Sequence, residues 1–207
     1  MTSLDNADDF TPILAGAFPA TPDHLARLHE KLAAAAQAEG LLDIAYRTLD
    51  TPVGPLLLAA TDVGLVRVAY SVEDHDAVLQ HLSERISPRI LHAPARLEGA
   101  ARELDEYFTG HRTDFDLPLD WRLSAGFRAV VLRHLAEIAY GHTASYATVA
   151  GLVGNPKAAR AVGTACATNP LPVVVPCHRV VRADGGMGGY LGGADAKRTL
   201  LTLESAA

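Results

Sequence analysis

SYATVAGLVGNPKAARAVGTACATNPLPVVVPCHRVV, residues 145–181, carries the densest punctuation in this 207-residue chain. Ser145 (or Thr143) suits the cap of a short helix over 145–153, and Gly154-Asn155-Pro156 breaks the chain after it. A second short helix follows over 157–167. Two such helices around a tight turn predict a helix-turn-helix. The second helix presents alanines, a glycine and one protruding residue, Arg160, where a reader of the major groove would carry long polar side chains. Small residues suit a packed core helix, and they equally suit close approach to the narrow minor groove. Lys157 and Arg160 shift the balance towards DNA without settling it.

Beyond Asn169-Pro170 the run LPVVVPCHRVV is short, apolar and bracketed by prolines, and it passes into a glycine-rich loop, DGGMGGYLGG, at 184–193. A last helix is predicted over 194–205, and a helix over 124–140, stopped by Gly141, precedes the helix-turn-helix. Cys177 sits between Pro176 and His178-Arg179. A lone Cys in an apolar run can be an inert core residue. Two potentially cationic neighbours instead favour the thiolate, the nucleophilic form. Local chemistry leaves both readings open. Adjacent residues on a helix point apart, so His178 need not touch the sulfur directly, and a bridging water could join them.

Further towards the N-terminus, residues 44–70 read as two or three antiparallel strands with turn signals at Pro52–Gly54 and Asp62–Gly64. Helices follow at 73–86 and 95–109, and the connector DLPLDW (116–121) leads into the second half. Residues 22–39 read as a helix capped by Thr21, and 1–20 as a mobile tail. The fold class is therefore α+β: a small amino-terminal α/β domain with an antiparallel sheet (44–120), then a mainly helical domain (121–207), with 1–43 as an addition of unread role.

A net charge of −6 argues at first against a nucleic-acid partner. Its distribution does not. Residues 1–137 hold 12 basic and 21 acidic side chains, whereas 138–183 hold four basic residues and no acid. Such a stretch is what a polyanion-facing surface requires, though chance can produce one. The acidic amino terminus is unlike a secretory leader, and no apolar run is long enough to span a bilayer, so a soluble cytoplasmic protein is expected. Two cysteines and nine histidines show no metal-ligand spacing, so no metal is expected.

VVVPCHRVV, preceded by the NPKAARAV helix and Asn169-Pro170-Leu171-Pro172 and followed by GGYLGG and LLTLE, closely resembles the O6-alkylguanine-DNA alkyltransferase family. The resemblance is convincing over 121–207, weaker over 44–120, and absent over 1–40. It implies repair of DNA by direct reversal: an O6-alkylguanine, mainly O6-methylguanine, is flipped from duplex DNA and its alkyl group moves irreversibly to Cys177, once per chain. His178, a water and Glu204 would form the relay that activates Cys177, with Asn169 supporting the turn. Arg160 would enter the stack where the base has left, and Tyr146 would help rotate the nucleotide and hydrogen-bond the guanine. Backbone near Val180 and the Tyr190–Leu191 loop would read the guanine edge, and Lys157 would contact DNA. The implied partner is double-stranded DNA bound through the minor groove by a monomer, with cooperativity on DNA left open and no cofactor.

Some positions depart from the family pattern. Leu132 stands where the family often has Trp, Leu191 where a smaller or polar residue is common, and the zinc ligands of some relatives have no counterparts. Gly192-Gly193 suggest a pocket that admits groups larger than methyl. The alternative, a lesion-binding alkyltransferase-like protein without transfer, typically has Trp at the acceptor position, and Cys177 argues against it. A transcriptional regulator or a cysteine hydrolase are more distant rivals.

Overall fold

The computed structural model describes residues 21–205, and the tail reading of 1–20 lies outside the described residues. Helix α1 (Pro22–Ala38) is capped by Thr21, whose Oγ1 accepts from the His24 amide at 3.3 Å. It buries Ala36 against the body and leaves Leu25, Leu28 and Leu32 exposed.

Strands β1 (Ile44–Leu49), β2 (Leu56–Ala60) and β3 (Leu65–Tyr70) form the expected antiparallel meander. A fourth strand, β4 (Ile90–His92), lies parallel to β1 at the edge and gives the order β3-β2-β1-β4. Sequence reading misses β4 because three residues are too few to show alternation. Every residue of β2 is buried, since both faces of the sheet are covered. On one face Ile44, Leu57, Val66 and Ala69 pack on Val78 and Leu82 of α2 (His75–Arg85). On the other, Leu56, Leu58 and Val68 meet Leu104 and Tyr107 of α3 (Glu98–Phe108), and this core continues without a break into the helical half.

The halves are also joined through the backbone. Leu65 N donates to Pro118 O and Asp120 N to Leu65 O, both at 2.8 Å, and Thr61 Oγ1 donates to the Asp120 carboxylate at 2.6 Å. Gly64 permits the approach: a Cβ there would lie 2.1 Å from Pro118 O.

Helix α4 covers Gly126–Leu135, shorter than the expected 124–140. Turns replace its last stretch, and the carbonyl of Ile138 accepts Arg179 Nη1 at 2.6 Å. The helix-turn-helix is present. Helix α5 (Tyr146–Leu152) is capped by Ser145, whose Oγ accepts from Thr148 N at 3.0 Å. Gly154, at φ 75°, makes the turn, and α6 (Ala159–Ala167) follows. Val131, Leu132 and Leu135 of α4, Val149 and Ala150 of α5, and Val162 and Ala165 of α6 make the joint core. Leu132 is fully buried there, which fits a packing role. A two-residue strand, β5 (Ala144–Ser145), pairs in parallel with β6 (Val180–Val181) and ties the start of the motif to the chain just past Cys177. Helix α7 (Gly193–Ser205) closes the molecule.

Candidate active site

The segment 169–180 is buried throughout and threads the centre of the helical half. Asn169 organises it. Its Oδ1 accepts from Leu171 N at 3.0 Å, and its Nδ2 donates to Val175 O at 2.9 Å and to Cys177 Sγ at 3.2 Å. Between these anchors Val173 holds φ 72°, a left-handed conformation that β-branched residues rarely adopt and that the surrounding bonds enforce. Cys177 opens a turn of 3-10 helix over Cys177–Arg179 and is 2% exposed.

His178 is fully enclosed, with Nε2 2.8 Å from Glu204 Oε1. Its Nδ1 is buried and meets no donor or acceptor of the protein. Glu204 of α7 is the hub: Arg179 contributes Nε at 2.9 Å to Oε2 and Nη2 at 2.9 Å to Oε1, and Tyr107 Oη donates to Oε1 at 2.7 Å. Burial, the largest single influence, would raise this carboxyl, but the bonds from His178, Arg179 and Tyr107 outweigh it and hold the group at about 2. Burial also lowers the proton affinity of His178, more than Glu204 raises it, so the ring is neutral.

The electrostatics differ from the sequence reading on one point. Arg179 and His178 do not supply the positive charge that would favour a thiolate, because the guanidinium is spent on Glu204 and the imidazole is neutral. Burial pushes the Cys177 thiol up to about 11, opposed by the Asn169 hydrogen bond and by the charge of Lys197. Lys197, on α7 and fully buried, donates from Nζ to Val180 O at 2.6 Å and to Met187 O, so one cation ties the strand after Cys177 to the glycine-rich loop. Sequence reading passes over Lys197, since only the fold brings α7 against the loop. Tyr107 and Tyr70 are missed for the same reason. Their signal in the sequence is no more than an aromatic on a core-facing position.

The remaining site residues fall into two groups. Val180 follows the Cys177 turn in β6, and Tyr190 and Leu191 lie in the glycine-rich loop. The Tyr190 hydroxyl meets that of Tyr70 at 2.8 Å, and its ring stands edge-on to His178 at 6.4 Å. Tyr146 opens α5 at the rim of the loop, where a Cβ on Gly188 would lie 2.8 Å from its hydroxyl. Lys157 and Arg160 are exposed instead, Lys157 in the turn before α6, which starts at Ala159 and not at 157, and Arg160 in its first turn, on a face completed by Ala161, Thr164 and Ala167. Cys166, on the buried face of α6, has its thiol pushed up to about 12, chiefly by burial and then by Cys177.

Among the described residues no group of three or more His, Cys, Asp or Glu side chains could hold a metal ion, and no helix is long and apolar enough to cross a membrane. A cavity of about 700 Å³ lies away from this chemistry, between α1 and residues 92–96. What the site itself offers is a thiol oriented by an amide, a neutral imidazole backed by a carboxylate, and tyrosines at the entrance. That set suits activation of one sulfur nucleophile.

Comparison with known proteins agrees with this. The family described as 6-O-methylguanine DNA methyltransferase, ribonuclease-like domain, matches residues 44–121, and 6-O-methylguanine DNA methyltransferase, DNA binding domain, matches residues 126–206. The methylated-DNA–protein-cysteine methyltransferase of Mycolicibacterium paratuberculosis is 43% identical over 161 residues, which cover 78% of this chain and 92% of that protein. The constitutive one of Bacillus subtilis is 37% identical over 163 residues, covering 77% and 94%. The crystal structure of Mycobacterium tuberculosis O6-methylguanine methyltransferase superposes with a TM-score of 0.70 at 39% identity, over 79% of this chain and 93% of that one. The structure of the same organism's OGT in complex with DNA gives 0.67 at 39% identity, over 78% and 93%. On two domain matches and relatives aligned over nearly their whole length, the chain belongs to the 6-O-methylguanine DNA methyltransferase family.

Proposed function

We propose that this protein repairs DNA by taking the alkyl group of an O6-alkylguanine, chiefly O6-methylguanine, onto Cys177, once per chain. The observation that carries the reading is the buried cluster of Cys177, Asn169, His178 and Glu204 at the foot of a helix-turn-helix whose outward face is small-residued and basic. A buried sulfur cannot reach a base stacked inside a duplex, so the nucleotide must be extruded, at a cost of a few kcal/mol. Helix α6, with Arg160 at its exposed start and Lys157 in the turn before it, would lie in the minor groove, and Arg160 would fill the gap left in the stack.

The thiol proton leaves through a bridging water for His178 Nδ1, and Glu204 on Nε2 stabilises the imidazolium as it forms. The thiolate attacks the alkyl carbon; an S–C bond forms as the C–O bond breaks. The departing guanine takes the proton, its developing negative charge met by hydrogen bonds from Tyr146 and the backbone of the loop. Lys197 offsets charge on the sulfur until the thioether, which is neutral, has formed. That thioether has no good leaving group, so the chain is not regenerated, and the cycle calls for no cofactor.

The test is a duplex carrying O6-methylguanine labelled in the methyl group. Label should become protein-bound to a limit of one per chain, and Cys177→Ala should abolish transfer while retaining binding. Repeated turnover, transfer surviving that substitution, or binding of the lesion without transfer by the intact protein would each overturn the reading.

A further inference from the structure

We infer that Tyr70, contributed by the amino-terminal sheet, is a specificity-determining residue whose ring walls the pocket beside Cys177 and limits the alkyl group that can enter. The inference rests on the alkyl-transfer reading and deepens it.

Tyr70 ends β3, and that end of the strand is bonded to the segment leading into Cys177. Val68 N donates to Pro170 O at 2.9 Å, and Arg67 Nη1 to Asn169 O at 3.5 Å. Arg67 also pairs with Glu73, whose Oε1 accepts the Tyr70 amide at 2.9 Å, so the tyrosine backbone is fixed to the same frame. On its other side Tyr70 meets the glycine-rich loop. Its hydroxyl is 2.8 Å from that of Tyr190, and the two rings cross edge to face at 5.8 Å. A Cβ placed on Gly192 would fall 2.7 Å from the Tyr70 ring. The Tyr70 ring thus packs on the loop while its backbone is tied, through Val68, Arg67 and Glu73, to the segment leading into Cys177, and it is 2% exposed.

This changes the meaning of Gly192. Its missing side chain does not enlarge the pocket, because the Tyr70 ring occupies the space. Gly192 lies outside the left-handed region, so its backbone accepts any residue, and the ring alone opposes a larger one. An alkyl group carried to Cys177 must fit between the Asn169–Pro176 segment and the Tyr190–Gly193 loop, and this phenol, packed on the loop and held by a strand bonded to the segment, bounds that space. Methyl is small enough to need no movement. Benzyl requires the wall to yield.

Single-turnover rates for O6-methylguanine and O6-benzylguanine, each placed in the same duplex, test the inference. Tyr70→Ala should raise the benzyl-to-methyl rate ratio about tenfold or more, the scale of discrimination expected of an apolar pocket wall. Tyr70→Phe, which keeps the ring, should leave the ratio where it is, and Tyr70→Leu, chosen in case the alanine variant does not fold, should raise it. Gly192→Ala should slow both transfers, and less so when combined with Tyr70→Ala or Tyr70→Leu, since the overlap is then relieved. A ratio in the alanine or leucine variant within about twofold of wild type, or additive effects of the two sites, overturns the role of Tyr70 while leaving alkyl transfer intact. A wild-type protein that transfers neither group overturns both.

Discussion

The side-chain amide of Asn169 donates to Cys177 Sγ at 3.2 Å while holding Leu171 N and Val175 O, so one residue sets both the position of the sulfur and part of its proton affinity. Asn169→Ala leaves a buried amide and a buried carbonyl unpaired. It should cost about 2–4 kcal/mol in urea unfolding. The single-turnover rate should fall as well, since the sulfur loses its donor. Unchanged stability would show that the turn does not depend on Asn169.

Acid and base should each weaken the fold, with a plateau between. Glu204 titrates at about 2 in the fold against 4.5 ordinarily, so its stabilisation, roughly 3 kcal/mol, is complete above 4.5 and is lost as pH falls towards 2. His178 is lowered from 6.5 by burial and acts in the same direction, beginning at higher pH. Cys177 and Cys166 are raised from 9.0 to about 11 and about 12, so their contribution is present below 9 and lost as pH climbs through those values. Urea midpoints across pH check this. Glu204→Gln should flatten the acid limb and, by stranding Arg179, cost about 3–5 kcal/mol at neutral pH.

Lys197→Met should release the carbonyls of Val180 and Met187 and remove the cation that favours the thiolate. The thiol should titrate higher by ultraviolet absorbance, and transfer should slow about tenfold, equivalent to one pKa unit. Lys197→Arg should not restore the rate, because the planar guanidinium does not fit a fully enclosed ammonium site.

Arg160→Ala should weaken binding to lesion-bearing duplex more than to undamaged duplex. Lys157→Ala should weaken both alike and lower the salt slope by about one. Equal losses on the two duplexes for Arg160→Ala would remove its role in the stack.

A chain beginning at Leu41 should transfer alkyl groups within about twofold of the full-length rate and lose about 1 kcal/mol of stability, since α1 buries little beyond Ala36. A larger loss of activity would tie α1 to the site.

How much the sequence discloses depends on how local each cause is. The Ser145 cap, the Gly154 turn and the small outward residues of α6 act within a few residues, so the helix-turn-helix can be read directly. The Cys177–His178 pair and the glycines of the loop are legible through motif resemblance. The length of α4 is not, because its apolar periodicity continues past Leu135 where the chain instead turns, with Glu137 N on His134 O and Ile138 N on Leu135 O. Nor is the proton affinity of Cys177: the adjacent Arg179 looks activating in one dimension, yet in the fold it faces Glu204. Lys197, Tyr107 and Tyr70 become visible only when helix α7, helix α3 and strand β3 converge on one centre.

Because Cys177 is 2% exposed and protonated at neutral pH, stray electrophiles and peroxides in bulk solvent find neither an open path nor a reactive anion. On the proposed reading each chain is consumed by its first reaction, and concealment of this kind would then matter most. The sulfur would stay in reserve until a nucleotide is delivered beside it, and the stock of unspent chains would be drawn down by lesions and not by background chemistry.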